Sequence, residues 1–209
     1  MTAPTLFPGS ADALLFDLGR VVIDIDFKRA TACWARHGKC DVADINARFS
    51  ADEALRQYES GKLSEAAYFA GLRRMLGVEI TDAQLLEGWN AIFIGDIPGI
   101  AALLERAAKH LPLYALSNTN PSHIAHFTKV HAEVLGHFRE TYLSSTIGLL
   151  KPDRAAYDHV VKAIGAPASR IVFFDDLAEN IQGARACGLS AVHVKSSEDV
   201  ANALAALGI

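Results

Sequence analysis

The stretch ALLFDLGRVVIDID, residues 13–26, sets an apolar run in front of one aspartate, Asp17, and then a glycine, Gly19. Residues 13–16 show no polar alternation, the pattern of a strand buried on both faces, as in a parallel sheet. Three further runs share that character: LYALSN (113–118), IVFFDD (171–176) and AVHV (191–194), with ETYLSS (140–145) as a weaker fifth. Helical patterns lie between them. PGIAALLERAAKH (98–110) has Pro98 near its start, and PDRAAYDHVVKAIG (152–165) and AENIQGARACG (178–188) each end on a glycine suited to a helix C-terminus. Alternation of this kind predicts right-handed βαβ units and an α/β fold, a doubly wound parallel sheet of the Rossmann-like kind.

Residues 27–96 read differently. FKRATACWARHG, ADEALRQYES, SEAAYFAGLRRMLG and TDAQLLEGWNAIF suggest four helices, with Ser64 and the Thr81–Gln84 pair as N-terminal capping signals. The expected organisation is a core of residues 1–26 and 97–209 with an all-helical cap, residues 27–96, inserted after the first strand.

Composition bounds the partners. The chain of 209 residues is 51% hydrophobic and 21% charged, with a formal net charge of −4. It has no basic block, so neither nucleic acid nor an anionic membrane is an expected partner. The stretch MTAPTLFPGSADA lacks the regions of a signal peptide, and no apolar run is long enough to span a bilayer. Cys33, Cys40 and Cys187 are unpaired in spacing, which suits reduced thiols in a cytoplasmic protein. His123, His126, His131 and His137 follow no metal-ligand spacing and suit a polar helix face or loop.

Three predicted strands end in polar residues: Asp17, Ser117 with Asn118, and Asp175 with Asp176. Open α/β sheets bind ligands beyond the carboxyl ends of their strands, at a topological switch point. If these strands are neighbours, the ends converge on one site, joined by Lys151 from LLKPD. Each segment alone is an ordinary turn, loop or helix start; their order after strands of one core is what is specific. Three carboxylates in one cleft repel one another, and a divalent cation with hard oxygen ligands, Mg²⁺ before others, removes that cost. Ser117 and Lys151 suit phosphate oxygens, one as a hydroxyl donor and one as a compact charge. Asp17 is the expected nucleophile, forming an aspartyl phosphate that water then cleaves.

These residues carry a resemblance. FDLGRVVIDID, LSNT, KPD and FFDD resemble, in order, the four motifs of the haloacid dehalogenase-like hydrolase superfamily, over nearly the whole chain. Within it, the DLG of the first motif, SGK, GWNAIF and LSNTN look most like the bacterial α-D-glucose-1-phosphate phosphatases. The resemblance implies Asp17 as nucleophile and metal ligand and the Gly19 carbonyl as a second ligand. It implies Ser117 and Lys151 as phosphate binders, with Asn118 beside them. Asp176 is implied as the direct Mg²⁺ ligand, Asp175 as its partner, and Asn180 as a residue that steadies Asp176 or Lys151. Most phosphatases of the superfamily carry Asp where this chain has Gly19, and a glycine cannot move a proton. Asp24 and Asp26 are candidates to swing in, against the plainer reading of surface residues at the cap hinge.

The expected function is a Mg²⁺-dependent phosphomonoesterase acting on a small phosphorylated metabolite, a sugar phosphate such as glucose 1-phosphate among the candidates. The alternatives are a 2-haloacid dehalogenase, which has no need of a metal, and a non-catalytic ligand-binding member of the same fold. Specificity is expected in the insert. Tyr58, Trp89 and Phe93 are candidates for lining the site, or else simply the core of the helical bundle.

Overall fold

The computed structural model of the protein describes residues 5–209; residues 1–4, the start of the stretch expected not to act as a signal peptide, lie outside the described residues. Five parallel strands form the central sheet: β1 (Ala13–Phe16), β4 (Leu113–Ser117), β5 (Glu140–Leu143), β6 (Ile171–Asp175) and β7 (Ser190–His193), in the spatial order β5-β4-β1-β6-β7. The three middle strands, β1, β4 and β6, are buried along their whole length because helices cover both faces, whereas the edge strands carry exposed Glu140, Thr141 and His193. Leu14, Phe16, Ala115, Val172 and Phe174 pack on one face with Leu104 and Leu204; Ala13, Leu15, Leu116 and Phe173 pack on the other with Tyr157 and Ile181. Phe16 stacks on Phe174 with ring centroids 4.5 Å apart, fixing the register of the two middle strands.

From β1 the chain builds β4 and β5 to one side, then β6 and β7 to the other. The strand order therefore reverses around β1, and the crevice beyond its carboxyl end is the switch point at which such sheets bind ligands.

The insert has its own apolar cluster, built on Trp34, Ile45, Tyr58, Phe69, Leu72, Leu76 and Trp89. Its helices are Phe27–Gly38, Val42–Arg48, Glu53–Glu59, Glu65–Leu76 and Asp82–Asn90. Val42–Arg48 is a helix that the sequence reading left out: seven residues long and burying only Ile45, it is too short to show a period. The capping signals at Ser64 and Thr81 behave as read, Thr81 and Gln84 closing a full capping box.

The all-helical expectation for 27–96 needs a second correction. Phe93–Asp96 is a strand, β3, paired antiparallel with β2 (Ile23–Ile25). Hydrogen bonds from Asp26 N to Ile92 O and from Ile97 N to Val22 O extend the pairing at both ends. The two connections between core and insert are thus zipped into one ribbon. A four-residue strand whose partner lies about 70 positions away leaves almost no local signal.

One close approach in the insert carries a stability test. Trp34 is fully buried and donates Nε1–H to Leu85 O at 3.0 Å. A Cβ added at Gly88 would lie 2.2 Å from that nitrogen. Gly88→Ala is expected to cost about 3 kcal/mol, the upper part of the overpacking range. For a chain of this size that lowers Tm by roughly 6–12 °C. A thermal melt shifted by under about 2 °C would show that the indole has room to move aside.

Candidate active site

Asp17 follows directly on β1, and its N–H donates to Phe174 O at 2.8 Å, continuing the ladder and holding the residue at the rim. Ser117 is the last residue of β4 and Asp175 the last of β6. These strands flank β1, so the neighbour relation on which the sequence reading depended holds and all three ends meet.

Lys151 arrives from the loop before the helix Arg154–Ile164. Asn118 brings it in: its Nδ2 donates to Lys151 O at 2.8 Å and its Oδ1 accepts from Lys151 N at 2.9 Å. Asn118, expected beside the phosphate, therefore holds the backbone of the lysine. The Lys151 ammonium is almost completely buried, 2.8 Å from Asp17 Oδ1 and 2.7 Å from Asp175 Oδ2. Burial opposes its charge, but the two carboxylates more than offset that and set its pKa above the ordinary lysine value.

Asp175 has no exposed surface and its oxygens are saturated. Oδ1 accepts from Leu177 N at 2.8 Å, Oδ2 from Lys151, and Asn180 Nδ2 lies 3.0 Å from both oxygens. Asn180 thus steadies Asp175 rather than the two groups named for it. Asp176 is the more open of the pair, with Arg20 Nη1 4.0 Å away. Asp17, Asp175 and Asp176 each present an oxygen within 4.8 Å of the others.

The charges do not balance. Three carboxylates face one buried cation, while Arg20 is 56% exposed and its pairing is solvent-screened. The strain shows in their acidity. Burial pushes Asp17 up to about 7, against the pull of Lys151 and with the push of Asp175. Burial and Asp175 also raise Asp176. A divalent cation bound by Asp17 and Asp176 would supply the missing charge, and an all-oxygen donor set fits Mg²⁺.

These groups line a cavity of about 200 Å³ between core and insert. Asp17, Gly19, Ser117, Lys151 and Asp176 form its polar end. The Ser117 hydroxyl has no partner among the described residues. Ile25, Phe27, Ile92, Phe93 and Phe127 form an apolar wall. Of the three aromatic candidates, Phe93 lines the cavity, whereas Tyr58 and Trp89 are fully buried in the cap cluster. Asp24 and Asp26 do not line it, and Asp26 is occupied in capping its helix at Lys28 N. A larger, more open groove of about 780 Å³ runs along the helix Ala178–Ala186 past β7; none of its charged groups is buried.

Two residues given no part in the site by the sequence reading also line it, and one of them, His123, is buried rather than on the polar helix face or loop expected of it. His123 is buried, stacked on Trp89, with Nε2 3.0 Å from Trp89 O and Nδ1 3.0 Å from Asn120 Nδ2. A carbonyl only accepts, so Nε2 carries the proton and Nδ1 receives the amide; burial lowers the pKa to about 3 and keeps the ring neutral. Glu59 ends the helix Glu53–Glu59 and reaches the cavity from the cap. Its only sequence signal is a carboxylate placed just before the Ser60–Gly61 turn.

Other sequence candidates resolve elsewhere. His131 pairs with Asp96 at the end of β3, 2.6 Å from Nδ1 to Oδ1. The cysteines are free. Cys33, His37 and Glu87 gather on the cap surface, but the Arg36 guanidinium already lies 3.0 Å from Glu87 and 3.4 Å from Cys33. No helix among the described residues is long and apolar enough to cross a membrane.

Comparison with known proteins agrees with this geometry. Residues 11–188 match the model of the haloacid dehalogenase-like hydrolases. A D-ribitol-5-phosphate phosphatase of Bacteroides thetaiotaomicron is 25% identical over 195 residues, spanning 89% of this chain and 93% of the relative. A phosphatase of Mycobacterium tuberculosis is 27% identical over 196 residues, spanning 90% and 89%. Among solved structures, a haloacid dehalogenase family enzyme of Bacteroides thetaiotaomicron, in complex with magnesium and inorganic phosphate, superposes with a TM-score of 0.79. It is 26% identical and covers 89% of this chain and 95% of its own.

Proposed function

The chain belongs to the haloacid dehalogenase-like hydrolases, and from that premise we propose that it is a Mg²⁺-dependent phosphomonoesterase working through an aspartyl phosphate on Asp17. The observation that carries the reading is the charge surplus at the strand ends: three carboxylates, one buried lysine and an unpartnered serine hydroxyl around one cavity. A dehalogenase has no use for Asp176, and a binding protein has no use for a carboxylate held against the ligand by a buried lysine.

In this reading Asp17, Asp176 and the Gly19 carbonyl hold the cation, with Asp175 behind them. Mg²⁺ neutralises the phosphoryl group and the carboxylates around it. Ser117 donates to one phosphoryl oxygen, and Lys151 neutralises another while fixing the Asp17 carboxylate through Oδ1. Asp17 attacks phosphorus in line with the departing ester oxygen, and water later cleaves the acyl phosphate. Asn118 and Asn180 act one step back, through the Lys151 backbone and through Asp175.

The substrate is a small phosphate monoester. The apolar wall favours an ester whose carbon skeleton is sparsely hydroxylated, while the polyol named for the Bacteroides relative and the glucose 1-phosphate of the motif resemblance place sugar phosphates in the same panel. The test is phosphate release across phosphorylated metabolites matched in size and graded in hydroxyl count. Activity is expected to fall at least 100-fold in excess EDTA, return with Mg²⁺, and return poorly with Ca²⁺, whose looser coordination misplaces the phosphoryl group. Full activity after chelation would remove the metal from the mechanism. Chloride release from 2-chloropropionate without it would hand the site to dehalogenation.

A further inference from the structure

We propose that Glu59 is the proton-transfer residue of this site, doing from the cap what the missing carboxyl at Gly19 cannot do from the core. The inference rests on the phosphomonoesterase reading and extends it to the leaving group.

Elimination and placement both lead there. The titratable groups lining the cavity are Asp17, Arg20, Glu59, His123, Lys151 and Asp176. Asp17 is the nucleophile and Asp176 faces the cation. Lys151 is held in two ion pairs. Arg20 does not release its proton at working pH. His123 has both ring nitrogens engaged. The Glu59 carboxyl has no hydrogen-bond partner among the described residues. Burial pushes its pKa up to about 7, with Lys151 pulling the other way, so it holds a proton to give near neutrality.

Its position is fixed by the core. Ser144 Oγ lies 2.6 Å from Glu59 O, accepts from Thr119 N at 2.8 Å, and so ties Glu59 to the loop that follows Ser117. The neighbouring Tyr58 hydroxyl bonds to Ser122. Gly61 lies so close to the short helix Ser144–Ile147, which carries Ser144, that a Cβ there would sit 2.6 Å from Ser145 O. A group meant only to cover the site needs none of these latches.

The step balances. An Asp17 oxygen forms a bond to phosphorus as the bond from phosphorus to the ester oxygen breaks. That oxygen takes the Glu59 proton and leaves as alcohol, and Glu59 becomes carboxylate. In the second half Glu59 takes a proton from water as its oxygen attacks phosphorus. Inorganic phosphate leaves, Asp17 is restored as carboxylate, and Glu59 is again protonated.

Good leaving groups do not need the proton, and that is the test. Single-turnover rates with Mg²⁺ are measured for 4-nitrophenyl phosphate and benzyl phosphate with wild type, Glu59→Gln, and Glu59→Gln carrying Gly19→Asp. Glu59→Gln is expected to lose about 10²–10⁴-fold on benzyl phosphate and less than about tenfold on 4-nitrophenyl phosphate. A merely structural role would slow both alike. Gly19 does not have a left-handed φ, and a Cβ there would lie 3.0 Å from the tip of the Ile25 side chain, so the added aspartate fits after a small shift. It is expected to restore part of the benzyl phosphate rate. Should Glu59→Gln fold poorly, Glu59→Asp keeps the carboxyl but withdraws it by one methylene, with an intermediate loss on benzyl phosphate alone. Equal losses on both esters, or none on benzyl phosphate, overturn the role of Glu59 and leave the phosphatase standing. Wild type inactive on both esters and on the metabolite panel removes the phosphatase reading and the inference with it.

Discussion

Asp17→Asn is expected to lower kcat by roughly 10⁴–10⁶-fold, the scale of losing a nucleophile. An amide oxygen at Oδ1 can still accept from Lys151, so the lysine stays seated and the strand end keeps its shape. The substitution also removes one of three carboxylates crowded around a single buried cation. The variant should therefore melt at or above the wild-type temperature while being almost inert, a combination that unfolding cannot imitate. Binding of inorganic phosphate, followed by calorimetry with Mg²⁺ present, is expected to survive, since Ser117, Lys151 and Asp176 remain. Turnover within tenfold of wild type, in protein free of contaminating phosphatase, would show that another group attacks phosphorus.

How much of this was legible follows from where each signal resides. The sheet was readable because its strands are buried on both faces: runs such as IVFFD leave no alternation to misread, and Phe16, Ala115 and Phe174 meet as those runs imply. The polar ends of β1, β4 and β6 were readable for the same reason, since a charge after an uninterrupted apolar run stands out. That the three ends meet was legible only as a condition: βαβ alternation implies parallel strands, but the order that puts β4 and β6 on either side of β1 comes from the structure. What stayed hidden depends on partners distant in sequence. The strand Phe93–Asp96 exists because Ile23–Ile25 lies beside it, and four residues of mixed polarity do not announce that. Asn118 shows its task only once Lys151, 33 positions away, is in place. Glu59 is the clearest case: in the sequence it is one acidic residue at a helix end, and only the contact of Ser144 with its carbonyl, across 85 positions, sets it over the cavity. Asp24 and Asp26, nearer to Gly19 in sequence, drew attention for the opposite reason, since proximity along the chain does not carry them to the cavity.

Lys151→Met is expected to be the most disruptive single change, because it removes activity and stability together. Methionine has a similar length, so the space is filled; what is lost is the positive charge between two carboxylates at 2.7 and 2.8 Å. Asn180 and Leu177 N still serve Asp175, but no cation among the described residues then pairs with Asp17. Removing one member of a buried ion pair typically costs about 3–5 kcal/mol, because the partner is left as an uncompensated buried charge. For a domain of this size that lowers Tm by roughly 6–20 °C. Mg²⁺ should then stabilise the variant by a larger increment than it stabilises wild type, since only the exposed, solvent-screened Arg20 is left beside it at the strand ends. A double change, Lys151→Met with Asp17→Asn, is expected to recover much of the lost stability and none of the activity. Thermal melts of the three variants with and without Mg²⁺ decide it: if Lys151→Met melts with wild type, the lysine is not what holds the carboxylates together, and the charge argument for the cation fails with it.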